Sequence, residues 1–235
     1  MDTVIPPWDL PTVPVAGSDA RFPVRHIYCV GRNYAEHAKE MGGDATKEPP
    51  FFFTKPADAI VPVSPGAIGH MAYPPGTSDL HHEIELVVAI GKRGTRLEPE
   101  RALEVVYGYA TGLDMTRRDL QADAKEKRRP WDLGKSFAQS APIASIHPVA
   151  THGHPARGAI TLDVNGKRRQ TGDLADMIWD VAHTLAFLSQ FYELMPGDLI
   201  YSGTPSGVGA VVAGDRLDGR IEGLSPLPIV IGPPR

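Results

Sequence analysis

The chain has 235 residues, a formal net charge of −4, and 42% hydrophobic against 22% charged residues, which is the balance of a soluble globular protein and not of a disordered one. No global positive field favours nucleic acid, and the 7% of aromatic residues do not interleave with the basic ones to make a stacking platform. The single cysteine, Cys29, excludes an intrachain disulfide and a cysteine-based zinc site.

No signal-peptide pattern leads the chain and no apolar run approaches about 18 residues, so a cytoplasmic protein with no membrane partner is expected. The 23 prolines and 24 glycines favour a loop-rich, β-dominated fold over a helical bundle.

Residues 1–21, with Pro6, Pro7, Pro11 and Pro14, read as an extended proline-rich arm. Residues 22–235 read as one domain, its regular structure starting near Val24 with a short strand at 27–30. Asn33 with Glu36 three residues on fits a capping box opening a helix. On that helix His37 and Glu40 share a face. A carboxylate beside an imidazole orients it and raises its basicity, as a general base for water requires; the alternative is an ordinary surface pair. Phe51-Phe52-Phe53 then runs as a strand into Lys55, and residues 60–75 read as a long loop.

Residues 82–90, His82-Glu83-Ile84-Glu85-Leu86-Val87-Val88-Ala89-Ile90, read as a strand and as the organising stretch of the chain. Alternation puts Glu83 and Glu85 on one face, continued by Val87 and Ala89, and Ile84, Leu86, Val88 and Ile90 on the other. Two carboxylates about 7 Å apart repel unless a positive group sits between them. A hard divalent cation answers that, a solvent-facing strand being the alternative.

Residues 98–105 form a short helix and 107–113 a strand ending at Asp114. Thr116 with Asp119 reads as the cap of the next helix, on which Arg118 and Gln121 share a face. The basic run 125–129 reads as a solvated helix end, and 131–137 as a loop presenting Lys135. Asn165-Gly166 marks a two-residue hairpin. Ile178, Val181, Leu185 and Leu188 give the clearest amphipathic helix. A strand at 199–201 leads into the loop 203–209, which lacks the Gly-Lys-Ser/Thr of a P-loop and the glycine spacing of a nucleophile elbow.

Gly31-Arg32-Asn33-Tyr34-Ala35-Glu36-His37, Lys55-Pro56, His82-Glu83-Ile84-Glu85-Leu86, the stretch from Asp114 to Gln121, Trp131 to Phe137, and Pro196 to Gly209 together resemble the fumarylacetoacetate hydrolase family, collinearly over about 24–231. The resemblance implies an α+β, β-dominated fold, a mixed β-roll with peripheral helices, as a homodimer whose catalytic domain is 22–235. It implies Glu83, Glu85 and Asp114 as ligands of one Mg²⁺ or Mn²⁺. His37 and Glu40 match the water-activating dyad, and Lys135 and Gln121 lie near the developing oxyanion. Arg118, Lys55 and Thr204 hold the substrate, with Arg32 a further cation for a doubly anionic one. The activity implied is hydrolysis of the carbon–carbon bond of a 2,4-dioxo acid, narrowed by residues 27–55 to fumarylpyruvate in gentisate breakdown. Oxaloacetate decarboxylation or a 2-hydroxymuconate-type isomerisation are alternatives on the same metal set. A catalytically silent, metal-stabilised binding module is an alternative of another class.

Overall fold

The computed structural model describes residues 3–35 and 49–234. Its centre is an eight-stranded mixed sheet in which Phe51–Lys55, Ile27–Gly31, Leu199–Tyr201, Ile84–Ile90, Val106–Leu113, Ala141–Ile143 and Ile60–Pro62 follow one another, with His147–Pro148 also on Val106–Leu113. Leu199–Tyr201 runs parallel to Ile27–Gly31 and antiparallel to Ile84–Ile90. A five-stranded sheet has the order Lys167–Asp173, Ala159–Val164, Arg216–Ile221, Leu227–Pro234, Gly69–Tyr73. A three-stranded one has the order Thr116–Arg117, Leu80–His82, Gly209–Val211. The described helices are short and peripheral, chiefly Arg118–Glu126 and Val181–Leu188. This is the β-dominated α+β architecture expected. Among the described residues no helix is long and apolar enough to cross a membrane.

Every residue of Ile84–Ile90 is buried. Period two sends Ile84, Leu86, Val88 and Ile90 into a cluster with Ile160, Leu162, Leu217 and Ile229 of the five-stranded sheet. Val87 and Ala89 enter a second cluster with Val13, Ile27, Cys29, Leu199 and Tyr201. Each buried aliphatic side chain is worth roughly 1.5–3 kcal/mol. A one-residue slip would exchange the two faces and drive Glu85 into the first cluster, so the register of both glutamates is fixed by the apolar residues that follow them. The opposing strand must approach closely here: a side chain at Gly112, paired with Glu85, would stand 2.4 Å from Val87 Cγ2 and 2.8 Å from Tyr201 Cε1.

Several local expectations change. The proline-rich arm is ordered before Val24: Thr12–Pro14 pairs with Arg21–Pro23, and Val13 and Val15 are buried in the second cluster. Trp8, upstream, is 81% exposed. Residues 60–75 are not all loop, because Ile60–Pro62 and Gly69–Tyr73 are strands. Pro62 ends an edge strand, where a missing N–H costs no ladder bond. The helix expected from Ile178 begins at Val181, because Asp180 caps it by accepting from the His183 N–H at 2.8 Å. The Asn165-Gly166 turn is as expected, both residues at positive φ (52° and 73°).

Candidate active site

The register of two antiparallel strands builds the acidic cluster. Glu83 immediately precedes Ile84–Ile90 and Asp114 immediately follows Val106–Leu113, whose last residue pairs with Ile84. The Asp114 N–H therefore donates to the Glu83 carbonyl at 2.9 Å, and one carboxylate oxygen each of Glu83, Glu85 and Asp114 lies within 4.8 Å of the others. All three are buried, at 5%, 1% and 0% exposure.

Three cations reach this cluster. Lys135 ends the short helix Asp132–Lys135, where a loop was expected. Its Nζ stands 2.9 Å from Glu83 Oε2, 2.7 Å from Asp114 Oδ2 and 2.6 Å from Thr116 Oγ1. Lys55 ends Phe51–Lys55 and is 3% exposed, so it does not snorkel. Its Nζ lies 2.8 Å from Asp114 Oδ1, at ion-pair distance though misaligned for a hydrogen bond, and it donates to the Met115 and Lys135 carbonyls. Arg118 donates to Glu83 Oε1 and Gln121 Oε1. Burial lowers the pKa of Lys135, but the Asp114 and Glu83 carboxylates outweigh it and the net direction is up.

Glu85 is different. Among the described residues its one hydrogen bond is from the Gly203 N–H, at 2.9 Å, and no basic side chain pairs with it. Burial, and then the charges of Asp114 and Glu83, push its pKa well above the carboxylate range. A buried carboxylate crowded by two others fits an all-oxygen site for a hard divalent cation.

Above this floor stands an aromatic wall. Phe51 and Trp131 meet edge-to-face at 5.1 Å, Arg32 Cζ lies 5.8 Å from the Phe51 ring, and Lys125 Nζ lies 5.1 Å from the Trp131 ring. Arg32, Phe51, Arg118, Gln121, Lys125 and Trp131 share one cavity with Glu83, Glu85, Lys135 and Thr204. Lys125 is thus no solvated helix end. Burial, with Arg118 and Arg32 nearby, lowers its pKa to about 8. The missed signal was helical spacing, since 118, 121 and 125 lie on one face of Arg118–Glu126.

One capping assignment gives way to this site. Thr116 does not cap the helix: Arg117 occupies that position, while the Thr116 hydroxyl meets Glu83, Asp114 and Lys135. Asp119 instead accepts from Thr77 and Ser78. Asn33 is 1% exposed, and its side chain donates to the Trp179 and Ser202 carbonyls and accepts from the Trp179 N–H. Glu36, His37 and Glu40 lie outside the described residues. The cavity at the acidic cluster measures about 30 Å³, whereas a cleft lined by Tyr109, His154, Met177 and Trp179 measures about 530 Å³. Chemistry and not volume marks the site.

Fold and cluster together define a buried set of three carboxylates that could hold a cation, at the end of a strand pair and flanked by lysines. The chain belongs to the fumarylacetoacetate hydrolase family: the family model described as fumarylacetoacetate (FAA) hydrolase C-terminal matches residues 26–231. A crystal structure of fumarylpyruvate hydrolase from Pseudomonas aeruginosa, in complex with Mn²⁺ and pyruvate, is similar over 98% of this chain and 99% of its own, with 52% identity and a TM-score of 0.97. The fumarylpyruvate hydrolase of a Ralstonia species is 49% identical over 190 residues, 81% of this chain and 96% of the relative. The mitochondrial oxaloacetate tautomerase of Homo sapiens is 40% identical over 200 residues, 85% of this chain and 88% of the relative.

Proposed function

We propose that this protein hydrolyses the carbon–carbon bond of an acylpyruvate, with fumarylpyruvate as substrate and fumarate and pyruvate as products. The observation that carries this is the buried Glu83, Glu85 and Asp114 cluster beside Lys135, in a chain about half identical over nearly its whole length to fumarylpyruvate hydrolases. The three carboxylates would hold Mg²⁺ or Mn²⁺, which when bound supplies Lewis-acid stabilisation of charge developing on the pyruvate half.

The chain's own residues do the rest. Water adds to the distal carbonyl carbon, the bond between that carbon and the methylene breaks, and the methylene takes a proton to become the methyl of pyruvate. His37, oriented by Glu40, takes the proton of the attacking water. Lys135, with Gln121 lining the same cavity, supplies positive charge near the oxygen on which negative charge builds. Acid–base help is worth roughly 10²–10⁴-fold and an oxyanion donor about 10²–10³-fold. Arg118 and Lys55 keep the pyruvate end positively flanked, while Arg32 and Lys125 stand at the aromatic wall to meet the fumaryl carboxylate. Thr204 contributes through its backbone, since its hydroxyl proton goes to the Ile84 carbonyl.

The oxaloacetate tautomerase relatives support a second reading, enol–keto or decarboxylation chemistry on oxaloacetate with the same carboxylates. Assignment to gentisate breakdown, a cytoplasmic location, a homodimer, and 22–235 as the catalytic domain belong to the same proposal. The deciding experiment follows the ultraviolet absorbance of fumarylpyruvate, and separately of oxaloacetate, with Mg²⁺ and after EDTA. Mg²⁺-dependent loss of the acylpyruvate band supports the hydrolase. Turnover of oxaloacetate alone supports the second reading, and turnover of neither supports a silent binding module.

A further inference from the structure

Ile84, the residue between the two glutamates, has both backbone polar groups held by distant side chains. Its N–H donates to Gln170 Oε1 at 3.1 Å, and its carbonyl accepts from Thr204 Oγ1 at 2.7 Å. Gln170 is fully buried in Lys167–Asp173, and its amide is saturated. Oε1 also meets His82 Nδ1 at 2.8 Å, and Nε2 donates to Thr204 Oγ1 at 2.8 Å and to the Pro205 carbonyl at 2.9 Å. A carbonyl only accepts and a backbone N–H only donates, so the amide fits one way round and His82 carries its proton on Nδ1.

The loop 203–209 is seated on the same strand. A side chain at Gly207 would stand 2.2 Å from the Arg169 carbonyl, and one at Gly172 2.7 Å from Pro205 Cβ. From that loop the Gly203 N–H reaches Glu85. Gln170 therefore joins the peptide flanked by Glu83 and Glu85 to the loop that holds Glu85. A tilt of the Ile84 peptide would move both carboxylates at once.

We propose that Gln170 is a positioning residue for the acidic cluster, fixing through Ile84 and Thr204 the spacing and direction of the Glu83 and Glu85 carboxylates. This rests on reading Glu83, Glu85 and Asp114 as the holders of a divalent cation. Small cations such as Mg²⁺ demand near-ideal octahedral oxygen positions, whereas Ca²⁺ accepts irregular ones. Gln170 thus tunes which ion the site prefers, and not only how stable the fold is.

The test is cation affinity of the full chain, with Mn²⁺ and Ca²⁺ dissociation constants measured by paramagnetic resonance and calorimetry. Gln170→Leu is expected to raise the Mn²⁺ constant about 10–100-fold and the Ca²⁺ constant less, narrowing the preference. Thr204→Val should act in the same direction, with Thr204→Ser restoring the wild-type constant. The Gln170→Leu/Thr204→Val pair should be less than multiplicative, because both act on one peptide. Thr111→Val removes another buried hydrogen bond, to the Ser225 carbonyl, and should lower Tm without moving the Mn²⁺ constant. If Gln170→Leu does not fold, Thr204→Val against Thr204→Ser decides. Unchanged Mn²⁺ affinity in the folded variants overturns the role of Gln170 while leaving the metal site standing. A wild type without Mn²⁺ affinity overturns both.

Discussion

Lys135 and Lys125 line one cavity, yet burial has opposite outcomes for them. Desolvation disfavours the charge of each. Around Lys135 the carboxylates of Asp114 and Glu83 more than compensate, and its pKa rises. Around Lys125 burial leads, the charges of Arg118 and Arg32 add to it, and its pKa falls to about 8. At the floor, Lys135, Lys55 and Arg118 hold the Glu83 and Asp114 carboxylates. At the wall, among the described residues, Lys125 has the Trp131 ring and no salt bridge. A cation already paired stabilises the site and its chemistry together. One held over an aromatic ring is available to an incoming anion. Substitutions on the floor should therefore disturb turnover and folding jointly, and those on the wall should disturb binding.

The largest effect is expected from Glu83→Ala, which should reduce fumarylpyruvate hydrolysis and oxaloacetate turnover to background together. EDTA should do the same reversibly on the wild type, with Mn²⁺ restoring both activities. Loss of one activity without the other would break the idea of a shared floor. Next comes His37→Ala, for which kcat should fall roughly 10²–10⁴-fold while Mn²⁺ affinity and KM change little. Decarboxylation of oxaloacetate, which needs no water, should suffer less. A His37→Ala variant that loses Mn²⁺ would show the dyad to be misassigned.

Lys135→Met should lower kcat about 10²–10³-fold and also leave Glu83 and Asp114 buried without their shared partner. Breaking such a pair costs about 3–5 kcal/mol, so Tm of the metal-free variant should drop and recover in part on adding Mn²⁺. A variant with normal Tm and reduced kcat would separate the two roles that the floor is taken to combine.

The floor was legible in the sequence and the wall mostly was not, for physical reasons. Alternation in a strand fixes which side chains share a face, so 82–90 alone paired Glu83 with Glu85, though their role as ligands came from resemblance, and the two apolar faces fell as expected. Asp114 came from resemblance, since only the pairing of Ile84 with Leu113 brings it across. Thr116 looked like a helix cap because Ser, Thr, Asn and Asp near a helix start usually are. Here tertiary partners, Lys135 and Glu83, took its side chain. Lys125 lay inside a basic run whose remaining members gave it a solvated reading. Gln170 carried no local signal, because its four partners come from segments 34 to 88 positions away.

The smallest effect is expected at Lys125, and it sharpens the contrast most. Arg118 touches Glu83 at the floor, and Lys125 lies seven residues further along the same helix face, a rise of about 10 Å. Fumarylpyruvate is a seven-carbon dianion whose six bonds of about 1.5 Å reach most of that distance, so its pyruvate end can sit at the floor while its far carboxylate meets the wall. Lys125→Met should raise KM for fumarylpyruvate about 10–100-fold, the worth of a charge-assisted hydrogen bond, with little change in kcat. Lys125→Arg should keep most of the affinity. The pH profile carries the same signature with a defined sign. The free group loses its proton as pH rises through about 8, so kcat/KM of the wild type should decline above that pH. The Lys125→Arg variant should hold level there, its guanidinium remaining charged. The profile of kcat should not share this decline, because the bound carboxylate restores the lysine's charge. A Lys125→Met variant with wild-type KM, or one that loses kcat alone, would move Lys125 from the wall to the floor and remove the distinction between them.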